Sequence, residues 1–330
     1  GLGTGNLSVY AETSGLMISE STVTDGTSRG IYVKNAASPT ITNTLVENHS
    51  YGIVLSDSSA SVTGNTIQNN VSYGISVSGP STPTLTDNTI TGNGGPAISL
   101  SINATNTTVS GNTLSGNGLD GIGIGSGTLA ENATWSADEV YVLSSVTVAP
   151  GVTLTVPPGQ AVKFQSTTSK LWVDGTLLAD GLPGSPIVFT SLLDDSVGGD
   201  TNGDGGASSP AADSWSGIGF MGSSTGNVLD NVTVRYAGHW YDAFGSGTGR
   251  VSVYAETSGL VISESTVTDG TSYGIYGKYG ASPTITDTLV ENHSYGSLLS
   301  ASSARVMGNT SRNTGSSGSN VSGPSTPTLT

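Results

Sequence analysis

The densest chemistry in the sequence is a loop between Phe189 and Trp215 that holds five acids, Asp194, Asp195, Asp200, Asp204 and Asp213, and no base. Carboxylates packed so closely repel one another unless a hard cation neutralises them. Within the loop, Asp200-Thr-Asn202-Gly-Asp204-Gly205 places oxygen donors at alternate positions and glycine at the sixth, as in the first half of a calcium loop of the EF-hand type. The twelfth position is Ala211 rather than glutamate, so Asp194, Asp195 or Asp213 would have to complete the shell that Asp200, Asn202 and Asp204 begin. Calcium is the cofactor expected here, and a merely solvated acidic loop is the alternative.

Catalysis is not expected. Polysaccharide lyases need calcium-binding acids beside a basic residue in one groove, and hydrolases need clustered carboxylates on strands. Asp174 and Asp230 stand in strand-like segments without acidic partners, and Arg235 is the one base near them, read as a structural surface residue. His49 and His293 occupy the same repeat position and are expected to decorate a turn, while His239 lies in the segment Gly238-His-Trp-Tyr-Asp-Ala-Phe244. No spacing among the three histidines suits a metal triad. Thr40/Thr42, Ser61/Thr63, Thr84/Thr86 and Thr108/Ser110 form an outward hydroxyl ladder of the kind seen on ice-binding solenoids. Arg305 and Met307 interrupt it in the second half, and strand propensity alone favours threonine on exposed strands. Sequons at Asn70, Asn103, Asn106, Asn132 and Asn231 permit glycosylation without requiring it.

Composition narrows the partners. Nine Lys and Arg stand against 24 acids in 330 residues, a formal charge of −15 that argues against nucleic acid and against an anionic membrane face. Cysteine is absent, which removes disulfides and thiolate metal sites. No apolar run approaches a membrane span. The chain opens at a glycine that aligns with Gly245, inside a repeat, and is expected to be an excerpt of a longer protein.

The elements that must position these residues are repeats on two scales. Residues 6–86 return at 250–330 with 61 of 81 positions identical. Inside each copy runs a period of about 22 residues. It aligns Ile18, Ile41, Val62, Leu85 and Val109 in one column and Val23, Val46, Ile67, Ile90 and Leu114 in a second, with Ile31, Ile53, Ile75, Ile98 and Ile122 in a third. Each column residue alternates with Ser, Thr or Gly, which is strand periodicity, and helical spacings are missing. Three short strands per coil, stacked in register, make an all-β parallel solenoid. Asn48, Asn69, Asn93 and Asn117 recur after the second column as turn ladders. Gly30, Gly52, Gly74 and Gly121 precede the third, where glycine is expected to supply positive φ. Residues 128–249 keep strand periodicity, as in Val152-Thr-Leu154-Thr-Val156 and Leu171-Trp-Val173, and carry the acidic loop 190–214. Trp172, Trp215 and the phenylalanines there are expected to fill a larger core.

The pattern apolar-x-x-N-x-apolar-x-x-N-x-x-x-G-apolar over 6–127 and 250–330 resembles the right-handed parallel β-helix repeats of the pectin-lyase-like superfamily, especially those of large tandem-repeat microbial surface proteins. The resemblance implies a right-handed β-helix of about a dozen coils in three segments, 1–127, 128–249 and 250–330. It also implies an extracellular or cell-surface structural rod belonging to an adhesin, sheath or filament, and such a fold is nearly silent on function. Expected partners are copies of the chain, head-to-tail and laterally through the Ser/Thr faces, together with surface glycans. A carbohydrate-binding or polysaccharide-cleaving β-helix is the alternative, followed by an ice-binding solenoid.

Overall fold

The computed structural model describes residues 7–135, 138–239, 244, 249–300, 303–322 and 328–329. Thr330, where the second copy stops aligning, and the Trp240–Ala243 stretch of the Gly238–Phe244 segment lie outside the described residues. The chain is an all-β parallel solenoid, and one three-residue 3-10 turn, Ile102–Ala104, is the only helix among the described residues. Two compact units are formed. The first comprises residues 1–125, 138–141 and 200–207, the second 126–137, 142–199 and 208–330.

In the first unit each coil contributes three short strands to three parallel sheets. One sheet runs from Val9–Ala11 through Arg29–Val33, Tyr51–Ser56, Ile75–Ser78 and Pro96–Leu100 to Leu119–Ile124. The other two hold the first and second columns. The third column stacks as Ile31, Ile53, Ile75, Ile98 and Ile122, one residue per coil, and every member is 0% exposed. The first column, Ile18 to Val109, and the second, Val23 to Leu114, stack in the same way.

Two details differ from the expectation. The left-handed residues at the corner after the second column are Asp25, Asn48, Asn69, Gly92 and Gly116, whereas Asn93 and Asn117 belong one position later, in a buried ladder with His49 and Asn70. The repeating asparagines therefore fill two adjacent roles. Gly30, Gly52, Gly74 and Gly121 do not have positive φ. They are glycines because coils pass close together: a Cβ on Gly52 would lie 2.5 Å from the Gly74 carbonyl oxygen, and one on Gly74 would lie 2.7 Å from that of Ala97.

The buried asparagines form two directional ladders. In one, the backbone N–H and Nδ2 of Asn65 both donate to Oδ1 of Asn88, those of Asn88 to Asn112, and those of Asn112 to Oε1 of Glu139. In the other, Asn70 donates to Asn93, Asn93 to Asn117, and Asn117 to Oδ1 of Asp120. Each ladder ends on a carboxylate, the acceptor best suited to convergent N–H groups. Satisfying every buried amide in one direction fixes the register of successive coils.

The second unit stacks Val146, Leu171, Ile218, Val253, Ile275, Ser297 and Ser319 in one parallel sheet. The chain distance between neighbours widens sharply before Ile218 and again before Val253. These wide steps mark insertions, and the acidic loop lies in the first of them. Trp215 lies fully buried with its ring stacked on Phe164 at 3.8 Å, and Phe189 and Phe220 are also in the core. Trp172 is not. The alternation that turns Leu171 and Val173 inward turns it outward, half-buried and 6.0 Å from Phe244.

Candidate functional site

The acidic insertion springs from the strand Ile187–Ser191 and returns at Trp215. Its first half is anchored by buried polar groups. Lys163, 0% exposed on the strand Ala161–Phe164, donates from Nζ to the Gly199 carbonyl at 2.8 Å. Asp194 is 2% exposed and bonded by the hydroxyls of Thr190 and Ser196 and by Arg235 at 2.5 Å. Burial alone would raise the Asp194 pKa, but these hydroxyl bonds and the Arg235 charge outweigh it and hold the carboxyl below its ordinary value. One guanidinium nitrogen of Arg235 also donates to Ser196 Oγ at 2.6 Å.

Asp200, Asn202 and Asp204 fall in the first unit and Asp194, Asp195 and Asp213 in the second. Asp200 and Asp204 close a tight turn on their own backbone. Asp200 accepts from the N–H groups of Asp204 and Gly205, and Asp204 accepts from those of Gly206 and Ala207 and from Asn202 Nδ2 at 2.9 Å. Gly203 and Gly205 adopt φ of 70° and 68° to permit it. Asp213 pairs with Arg250 and His239, each at 3.7 Å. In Asp195, one buried carboxylate oxygen accepts no hydrogen bond among the described residues.

The fit to calcium is therefore partial. Asp200, Asn202 and Asp204 supply the hard oxygen donors on alternate residues that the cation takes. Asp194 is buried against Arg235, and Asp213 faces Arg250 from the surface. The sequence did not disclose these pairings, because Arg235 and Arg250 lie far along the chain from the acids they meet.

The histidines are placed more deeply than turn decoration requires. His49 is 1% and His293 3% exposed, and Nε2 of each meets a serine hydroxyl of an earlier coil, Ser8 at 2.9 Å and Ser252 at 3.0 Å. Burial lowers both pKa values, opposed by the backbone carbonyls of Glu47 and Glu291 and by the charges of Asp25 and Asp269. The hydroxyl ladder is present in register, with Thr63 and Thr86 hydroxyls 3.0 Å apart. In the second unit Arg305 and Met307 take the places beside Thr284 and Thr286. Asn70 is buried in its ladder, whereas Asn103, Asn106 and Asn132 are exposed.

One further feature, not expected from the motifs, is aromatic. On the outer face of the first unit Tyr10 and Tyr32 lie 5.8 Å apart, and Tyr51 and Tyr73 lie 5.7 Å apart beside them. Tyrosines recurring once per coil were its visible signal.

No curated protein and no solved structure matches the chain. The family described as "Right handed beta helix region" matches residues 3–140 and 209–330, most of the sequence. With parallel strands stacked coil on coil within each unit, the chain belongs to the right-handed β-helix family.

Proposed function

We propose that this chain is a non-catalytic structural segment of an extracellular or cell-surface protein, a β-helical rod that associates with its own copies head-to-tail and through its Ser/Thr faces. The observation that carries this reading is the sustained periodicity of the first unit, where aliphatic columns and carboxylate-ended asparagine ladders repeat from coil to coil. Such an array gains stability by adding neighbours rather than by enclosing a substrate. The reading is also supported by Arg235, the one base near Asp174 and Asp230 in the sequence, which is paired with the buried Asp194. Electron microscopy of the native material tests the reading. Fibres or extended stalks are expected, and turnover of uronic-acid polymers by the purified chain would overturn it.

Calcium belongs to the same proposal as a stabiliser of the Asp200–Asp204 turn. A cation bound only to the folded chain raises the melting temperature by mass action. Calcium should therefore raise it, EDTA should reverse the shift, and the Asp200→Ala/Asp204→Ala double variant should show neither. The competing reading, a carbohydrate-binding β-helix, draws on the half-exposed tyrosines of the first unit.

A further inference from the structure

The two sequence copies carry one aromatic strip in two states. Ser8–Leu16 and Ser252–Leu260 are identical, and the tyrosines occupy the same register, Tyr10 beside Tyr32 in the first unit and Tyr254 beside Tyr276 in the second. In the second unit the strip is closed. The Phe244 ring lies nearly parallel to that of Tyr254, 5.7 Å away at 9°, over Gly219, where a Cβ would meet Phe244 Cδ1 at 2.3 Å. Under this cover and Met221, Tyr254 is 0% and Tyr276 7% exposed. In the first unit Tyr10, Tyr32, Tyr51 and Tyr73 are all half-exposed.

One charge differs between the strips. Arg29 replaces the residue equivalent to Tyr273, and its guanidinium lies 4.7 Å from the Tyr32 ring and 6.0 Å from that of Tyr51. Lys34, 5.4 Å from the Tyr10 ring, is paired with Glu12 at 3.4 Å, and both residues recur in the second copy as Lys278 and Glu256. Arg29 is thus the cation of the open strip whose equivalent position in the second copy is uncharged. In sequence Asp242 precedes Phe244, the ring that covers the second strip, by two positions.

We propose that the open strip of the first unit is a docking surface for a polypeptide segment bearing an aromatic ring next to a carboxylate, the chemistry of this chain's own cover segment. The ring stacks on Tyr10 as Phe244 does on Tyr254, and the carboxylate meets Arg29. The second unit supplies the geometric precedent and Arg29 supplies charge complementarity. Docking of this kind does not depend on rod formation.

The test titrates a synthetic peptide of residues 238–249 into the full chain by calorimetry. Saturable binding is expected, weakened about tenfold by Tyr10→Ala or by Phe→Ala in the peptide, the loss of one aromatic contact. Arg29→Tyr, which copies the second unit and preserves the aromatic face, should retain binding but remove most of its salt dependence. Absence of binding up to about 1 mM, a weak-affinity limit, or binding indifferent to all three changes would overturn the proposal. So would an oligouronate that binds at Tyr10 where the peptide does not.

Discussion

The strands around Ile53 and Ser297 are built from nearly the same sequence, yet one closes a saturated aliphatic stack and the other does not. Ile53 and Ile75 are 0% exposed between Ile31 and Ile98, whereas Ser297 is buried at 5% beneath Ile275 and Ser319 is exposed. On the outside the asymmetry is reversed: the first copy leaves Tyr10 and Tyr32 half-exposed and the second buries their counterparts Tyr254 and Tyr276 beside Phe244. A repeat therefore fixes the path of the backbone without fixing how well each coil is filled. Three aliphatic-to-serine changes between the copies, at Ser297, Ser311 and Ser319, alter packing and leave the parallel pairing in place.

The largest expected break in this comparison comes from one substitution at equivalent positions. Ile75→Asp places an unpaired charge in the aliphatic stack and should cost about 3–5 kcal/mol, seen as loss of cooperative melting, while Ser319→Asp should leave the melting curve nearly unchanged. Phe244→Ala should make the second strip resemble the first. Its predicted cost is about 3 kcal/mol, with Tyr254 and Tyr276 becoming accessible to iodide quenching. Ser297→Ile should restore the stack in the second copy and raise stability by about 1.5–3 kcal/mol in denaturant unfolding.

A smaller effect is shared by both copies and sharpens how alike they are. Burial lowers the pKa of His49 and His293 in the folded chain, whereas an unfolded histidine titrates near 6.5. Below that pH the unfolded state takes up protons that the folded state refuses, so stability falls as pH drops from about 6.5 toward 5. Asp194, held below the usual carboxylate range, loses its contribution only at lower pH still, which separates the two windows. His49→Asn and His293→Asn, each following the asparagine that fills the ladder elsewhere, should together flatten the curve between about pH 7 and 5.

The architecture was legible because each column repeats one residue class at one interval, and all three columns appear in the predicted register. The corner asparagines were less so. Left-handed backbone and buried amide ladders both select asparagine at adjacent positions, and a period that lengthens slightly from coil to coil blurs which is which. The regular recurrence of Gly52 and Gly74 was visible, but the carbonyl that forbids a Cβ comes from the following coil, a tertiary fact. The outward turn of Trp172 was available from simple alternation. Of the acidic loop, the Asp200–Asp204 turn was readable locally, whereas the Asp194–Arg235 pair joins residues distant in the chain and needs the coil geometry to bring them together.

The contrast between an open and a closed strip is tested most directly by limited iodination of the native chain, with each tyrosine followed by peptide mass spectrometry. Tyr10 and Tyr32 should be modified rapidly, and Tyr254 and Tyr276 should be protected until the chain unfolds. Equal reaction at the two pairs in the native state would contradict the account.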